Sequence, residues 1–182
     1  MRREKQKRRR GGIYHKIQID LTFNSNHREK SKLSHDQTRY IYETNTIALG
    51  DTSINVDDIV ETVNHFRCID LMIERSNFAL SEAFIKQVHA WLKSGTSDWR
   101  KDWFKVGEYK KLPNEAGGHE TTLPEHVAKE IHLLLDRYNA IEKKTLDDII
   151  DFHVRFELIH PFQDGNGRVG RLVMFKPTFL TL

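Results

Sequence analysis

HPFQDGNGRVGR, running from His160 to Arg171, is the stretch on which the reading of this chain turns. Residues that precede a proline avoid the helical region, so an incoming helix should end near His160, ahead of Pro161. Asp164, Gly165, Asn166 and Gly167 then make a tight turn, because glycine and asparagine tolerate positive φ. Arg168 to Phe175 reads as the start of a second helix. The free N–H groups of a glycine-rich turn entering a helix form an anion site. Arg168 and Arg171 lie three apart and project from neighbouring faces of that first turn. Two guanidiniums, free amides and a helix dipole suit a polyphosphate better than a single carboxylate. His160 carries an imidazole whose ordinary pKa, about 6.5, lets it take a proton near neutral pH. Asp164 is a hard oxygen ligand suited to Mg²⁺. Phe162, apolar between polar neighbours, should anchor the loop in the core. Turn chemistry alone leaves a second reading open, since Asp-Gly and Asn-Gly are also ordinary turn dipeptides. A histidine that ends an apolar stripe can equally be a packing residue.

Outward from this stretch, most of the chain reads as helix. Leu146, Ile149, His153, Phe156 and His160 run down one stripe, and Thr145 caps it, with Asp147 and Asp148 in the first turn. Ser34 and Gln37 form one capping box, Thr122 and Glu125 another, with Pro124 in the first turn of the helix that follows. A long helix is expected from about Val56 to Glu74, burying Val56, Ile59, Val60, Val63, Phe66 and Ile69. Ser81 starts a further one, with Phe84, Ile85, Val88 and Leu92 on one side. IQIDLTF, residues 17–23, alternates strictly and taken alone is a strand pattern, with Ile17, Ile19, Leu21 and Phe23 inward. From Gly95 to Thr121 the chain is irregular, with room for a short hairpin or a flap.

The chain has 182 residues, enough for one domain with a real core. No apolar run reaches the length of a membrane span, and no apolar segment at the N-terminus reads as a secretory signal. Cys68 is the single cysteine, which excludes an internal disulfide framework or a multi-cysteine zinc site and makes a reducing cytoplasm the expected setting. Net charge is +3, but residues 1–10 hold seven Arg or Lys and one acid, so the other 172 residues sum to −3. Residues 1–12 are therefore expected to be a solvated, disordered basic tail, with weak nucleic-acid contact as its alternative use. The remaining histidines, His119, His126, His132 and His153 among them, show no metal-ligand spacing.

The loop resembles the signature of Fic-domain proteins, His-x-Phe-x-Asp/Glu-Gly-Asn-Gly-Arg-x-x-Arg. Every specified position is matched, at His160, Phe162, Asp164, Gly165, Asn166, Gly167, Arg168 and Arg171. The resemblance implies a mainly α, Fic-type helical bundle over 13–182, with a short β-hairpin flap at about 104–120 and the active loop at 160–171. It also implies transfer of AMP from ATP to a Ser, Thr or Tyr hydroxyl of a target protein docked at the flap. His160 would be the base, and Asp164 would hold Mg²⁺ against the α- and β-phosphates. Gly165, Asn166 and Gly167 would bind phosphate oxygens, Asn166 also through its side chain. Arg168 would hold the β-phosphate and Arg171 the γ-phosphate. A second copy of the chain is a further partner class.

A second segment, at about 20–31, resembles the inhibitory helix of such proteins through Ser25 and Glu29. Its implied role is a clamp, with Glu29 pairing Arg171 and denying it to the γ-phosphate. This segment departs from the pattern at Arg28, which could compete for Glu29, and at Lys30, which replaces the residue that usually makes the ending turn. The family has helix where IQIDLTF suggests strand, and helix is the expectation adopted. Pro177 should end the last helix early. Two alternatives stay open. Glu29 could instead activate water and remove AMP from modified targets, or the domain could be a non-catalytic binding module.

Overall fold

The computed structural model describes residues 1–7, 10–48 and 53–176, as eight helices and one hairpin. The helices are α1 (Arg2–Lys7), α2 (Ile13–Arg28), α3 (His35–Thr44), α4 (Val56–Glu74), α5 (Glu82–Lys93), α6 (Pro124–Ala140), α7 (Leu146–Ile159) and α8 (Asn166–Phe175). A 3-10 turn covers Ser97–Arg100, and the hairpin pairs β1 (Glu115–Ala116) with β2 (His119–Glu120). This is the mainly helical bundle with a short hairpin that the sequence predicts. No described helix is long and apolar enough to cross a membrane.

Helix starts follow local chemistry. Ser34 accepts from the Gln37 N–H while the Gln37 side chain accepts from the Ser34 N–H, a complete capping box. Thr145 and Asp148 form another, and Ser81 caps α5. The expected box at Thr122 does not form. Helix α6 begins at Pro124 behind Leu123, with no side-chain cap, and the Thr122 N–H donates to the Leu158 carbonyl on α7 instead.

Helix α4 is the axis of the bundle, packed by α2, α3, α5 and α8. Its second half buries Ile69, Met72 and Ile73 against Ile85, Val88 and Leu92 of α5, with Phe156 and Leu172 closing the core. Each such burial contributes about 1.5–3 kcal/mol. Its first half corrects the expected apolar stripe. Val56 is exposed and Ile59, Val60 and Val63 are only half-buried, while Glu61, Thr62, Asn64 and His65 face inward. They can be buried because each finds a partner. Asn26 Nδ2 donates to Thr62 Oγ1 at 3.0 Å, and Asn64 Nδ2 donates to the Leu92 and Ser94 carbonyls. Thr22 Oγ1 lies 2.9 Å from His65 Nδ1, and burial holds His65 neutral by lowering its pKa to about 3.

Residues 17–23 are helix. The alternation was misleading about the buried face too: α2 buries Tyr14, Gln18, Ile19, Thr22, Ser25 and Asn26, a helical stripe of mostly polar residues. The Tyr14 hydroxyl and Gln18 Nε2 both donate to Asp70 on α4. The described part of the expected tail is helical over Arg2–Lys7. Glu4 in α1 accepts from the Tyr14 N–H, and Lys5 pairs with Asp70 and Glu74. Arg8 and Arg9 of that tail lie outside the described residues, as does Pro177; α8 is helical through Phe175.

Candidate active site

Helix α7 ends at Ile159, and His160 caps it in the left-handed conformation at φ 50°. The loop closes on itself through Asn166, whose Oδ1 accepts from the Phe162 N–H at 2.7 Å while its Nδ2 donates to the Phe162 carbonyl at 2.8 Å. This corrects one expectation: the Asn166 side chain is buried and shapes the loop, which leaves its backbone N–H for an anion. Gly165 precedes α8 at φ 81°, a conformation that disfavours any side chain. The first-turn amides of α8 therefore open onto the loop.

Phe162 is fully buried, as its loop-anchor role requires, and lies flat on the ring of His89 with centroids 3.9 Å apart. The Gly107 N–H donates to His89 Nδ1 at 2.9 Å, so the His89 proton is on Nε2, which donates to the Asp164 carbonyl. One neutral imidazole thereby ties the loop to the segment leading into the flap. Burial lowers its pKa to about 3. The flap segment is fastened along the loop as well. The Lys110 N–H donates to the Pro161 carbonyl, Asn114 Nδ2 donates to the Phe162 carbonyl, and the Leu112 N–H donates to Gln163 Oε1. Gly117 and Gly118 turn the hairpin with φ of 58° and 80°, the two positive values of a tight right-twisting turn.

His160 Nδ1 lies 3.2 Å from the Glu157 carbonyl, which can only accept. The proton is therefore on Nδ1, and Nε2 carries the lone pair a base needs. Burial lowers the His160 pKa below its usual value, which keeps the ring neutral at pH 7.

Beneath the loop sits a network that spacing rules did not reveal. Glu61, Asp98 and Asp164 each place an oxygen within 4.8 Å of the others, a geometry that could hold a metal ion. The Lys93 ammonium stands among them, 2.6 Å from Glu61, 2.5 Å from Asp98 and 2.6 Å from Asp164. Burial opposes its charge, but the Asp164 and Glu61 carboxylates hold its pKa above the usual value. Arg168 is also part of this network. It is buried and paired with Glu61, with Asp164 3.5 Å away, so its guanidinium is not presented to the open loop as expected. Burial would raise the Asp164 pKa, but Lys93 and Arg168 pull it down to about 2. Asp164 is thus an ionised carboxylate whose side chain is 53% exposed, suited to a divalent cation bound jointly with phosphates.

Ser25 and Glu29 meet Arg171 as the resemblance implies. Glu29 Oε1 accepts from Arg171 Nη2 at 2.6 Å, and Ser25 accepts through its hydroxyl and its carbonyl, both at 3.0 Å. A Cβ at Gly167 would lie 2.4 Å from the same Glu29 oxygen, so the carboxylate rests against the entry to α8. Neither departure near Glu29 prevents this contact. Among the described residues Arg28 makes no ion pair with Glu29. Lys30 itself adopts φ 68°, and the Lys30 and Ser31 N–H groups return to the His27 and Asn26 carbonyls, which completes the helix-ending turn without glycine.

Comparisons with known proteins bear on the family and the fold. The sequence model of the Fic/DOC family matches residues 79–177. Protein adenylyltransferase fic-1 of Caenorhabditis elegans is 24% identical over 168 residues, covering 89% of this chain and 30% of the relative. This chain thus spans about a third of that relative's length. Among solved structures, a Fic-domain signalling protein from Bacteroides thetaiotaomicron superposes with a TM-score of 0.79 at 26% identity, over 90% of this chain and 63% of that one. A Fic family protein from Desulfovibrio desulfuricans gives 0.73 at 26% identity, over 91% and 48%.

Proposed function

This chain belongs to the Fic/DOC family, and from that premise we propose that it is a protein adenylyltransferase, moving AMP from ATP to a Ser, Thr or Tyr hydroxyl of a target protein. The observation that carries this reading is a neutral His160 with Nε2 unprotonated, on a loop whose far end offers the free amides of α8. The name and 24% identity of the worm relative support the reaction class.

In this reading His160 Nε2 takes the hydroxyl proton as the oxygen bonds to the α-phosphorus. The bond from that phosphorus to the bridging oxygen breaks, and pyrophosphate leaves. The amides at Gly165, Asn166 and Gly167 and the positive end of α8 stabilise the growing charge. Asp164 would hold Mg²⁺, which when bound neutralises charge on the phosphates. Lys93, Arg168 and His89 fix Asp164 from behind. Arg171 serves the γ-phosphate once it leaves Glu29, so the Glu29 contact restrains activity. A target strand pairs along the flap beside the loop.

ATP labelled at either the α or the γ position tests this directly. Transfer of α-label to protein is expected, lost by roughly 10² to 10⁴ in His160→Ala and raised in Glu29→Gly. Transfer of γ-label, or none, overturns the reading, and equal α-labelling by wild type and Glu29→Gly overturns the restraint.

A further inference from the structure

The geometry points to Glu157 as a positioning residue for His160, acting through the ring nitrogen that faces away from the substrate. The inference rests on the reading of His160 as the base. Glu157 stands one helical turn before His160 on α7 and meets its ring twice. Its backbone carbonyl accepts from Nδ1 at 3.2 Å, and its carboxyl Oε2 lies 3.8 Å from the same atom.

That carboxyl is packed between α7 and α8 with no hydrogen bond of its own among the described residues. Its Oε1 is buried. It rests over Gly170 of α8, where a Cβ would lie 2.5 Å from Oε1 and 3.1 Å from the His153 ring. Any larger residue at 170 would push the carboxyl aside. The absence of a side chain there is what lets an acid sit at this depth behind the base.

A base that takes a proton becomes an imidazolium, and a carboxylate beside its other nitrogen stabilises that cation and keeps the ring from rotating. The proton taken from the hydroxyl stays on Nε2, and the Nδ1 proton stays on Nδ1. Glu157 supplies charge and orientation, and no bond to it forms or breaks. The groups facing Glu157 are His153 and His160 on α7, Arg171 on α8 and Glu29 just past the end of α2; His160 is also faced by Lys110 and Asp164. Burial raises the Glu157 pKa to about 7, with Arg171 opposing and Glu29 adding to the shift. Above that value the carboxyl is ionised, and it is this form that faces the His160 ring.

The test follows the His160 ring by NMR titration in the whole chain, wild type against Glu157→Gln, which keeps the shape and removes the charge. The expected result is a fall of about one pH unit in the His160 midpoint. Turnover in the α-label assay should fall roughly tenfold at unchanged KM for ATP. Glu157→Asp, which retains the charge at a greater distance, should give a smaller shift and guards against a folding defect. An unmoved midpoint in Glu157→Gln overturns the inference and leaves the reaction class standing. Undiminished α-labelling by His160→Ala overturns the reaction class, whatever the titration shows.

Discussion

The two halves of α4 follow opposite rules. The half around Ile69, Met72 and Ile73 is buried because it is apolar. The half around Glu61, Thr62, Asn64 and His65 is buried although it is polar, because α2, α5 and α8 bring it partners. An apolar residue needs only a core, and many neighbours will serve. A buried polar one needs a particular atom in a particular place, and an unmade contact costs more than a made one contributes. The loop from His160 to Arg171 is built on the polar half. That half trades tolerance to substitution for a fixed position of Asp164.

Lys93→Met should break the comparison most strongly. It keeps the apolar bulk that the Ile69 half would accept, and it removes the cation among Glu61, Asp98 and Asp164. A loss of about 3–5 kcal/mol in urea unfolding is expected. A loss below about 1 kcal/mol would mean that the polar half tolerates apolar replacement as well as the core does.

Acid should act through the buried histidines, His65 in the polar half of α4 and His89 beside it on α5. His65 and His89 are buried neutral with pKa values lowered to about 3, while in the unfolded chain they titrate near 6.5, within about a unit. Their contribution is fully present above the unfolded pKa. As pH falls below it, the unfolded state takes protons that the folded state refuses. Stability should then drop by about 1.4 kcal/mol per pH unit for each histidine. Urea midpoints that stay level from pH 7 to pH 5 would contradict this.

Lys30→Gly sharpens the comparison at its smallest scale. Lys30 holds φ 68° at the end of α2, where a side chain is strained. The glycine variant should gain up to about 1 kcal/mol by thermal unfolding, with Glu29 left in place. A loss would show that the Lys30 side chain contributes more than its backbone strain removes.

These rules also explain what could be read from the sequence. The limits of α4, the caps at Ser34, Ser81 and Thr145 and the loop from His160 were legible, because each is written in neighbouring residues. The meeting of Ser25 and Glu29 with Arg171 was legible only through the resemblance. The partners of Lys93, Glu61 and Arg168 were not legible, since they lie 32 and 107 residues apart and no apolar period marks them. The buried face of α2 was missed for the same reason. Its stripe of Gln18, Thr22, Ser25 and Asn26 is helical in spacing but polar in kind, so the half-buried Ile17 and Leu21 dominated the pattern. Thr122 had the chemistry of a cap, but α7 claimed its N–H.

Glu29 closes α2, where the helix dipole disfavours a negative charge, and it rests at the entry to α8, where the dipole favours one. It is in effect a ligand that the protein carries on its own backbone. Tethered this way, it meets Arg171 as an intramolecular partner. Any free anion that claims the same guanidinium must displace a competitor that cannot diffuse away.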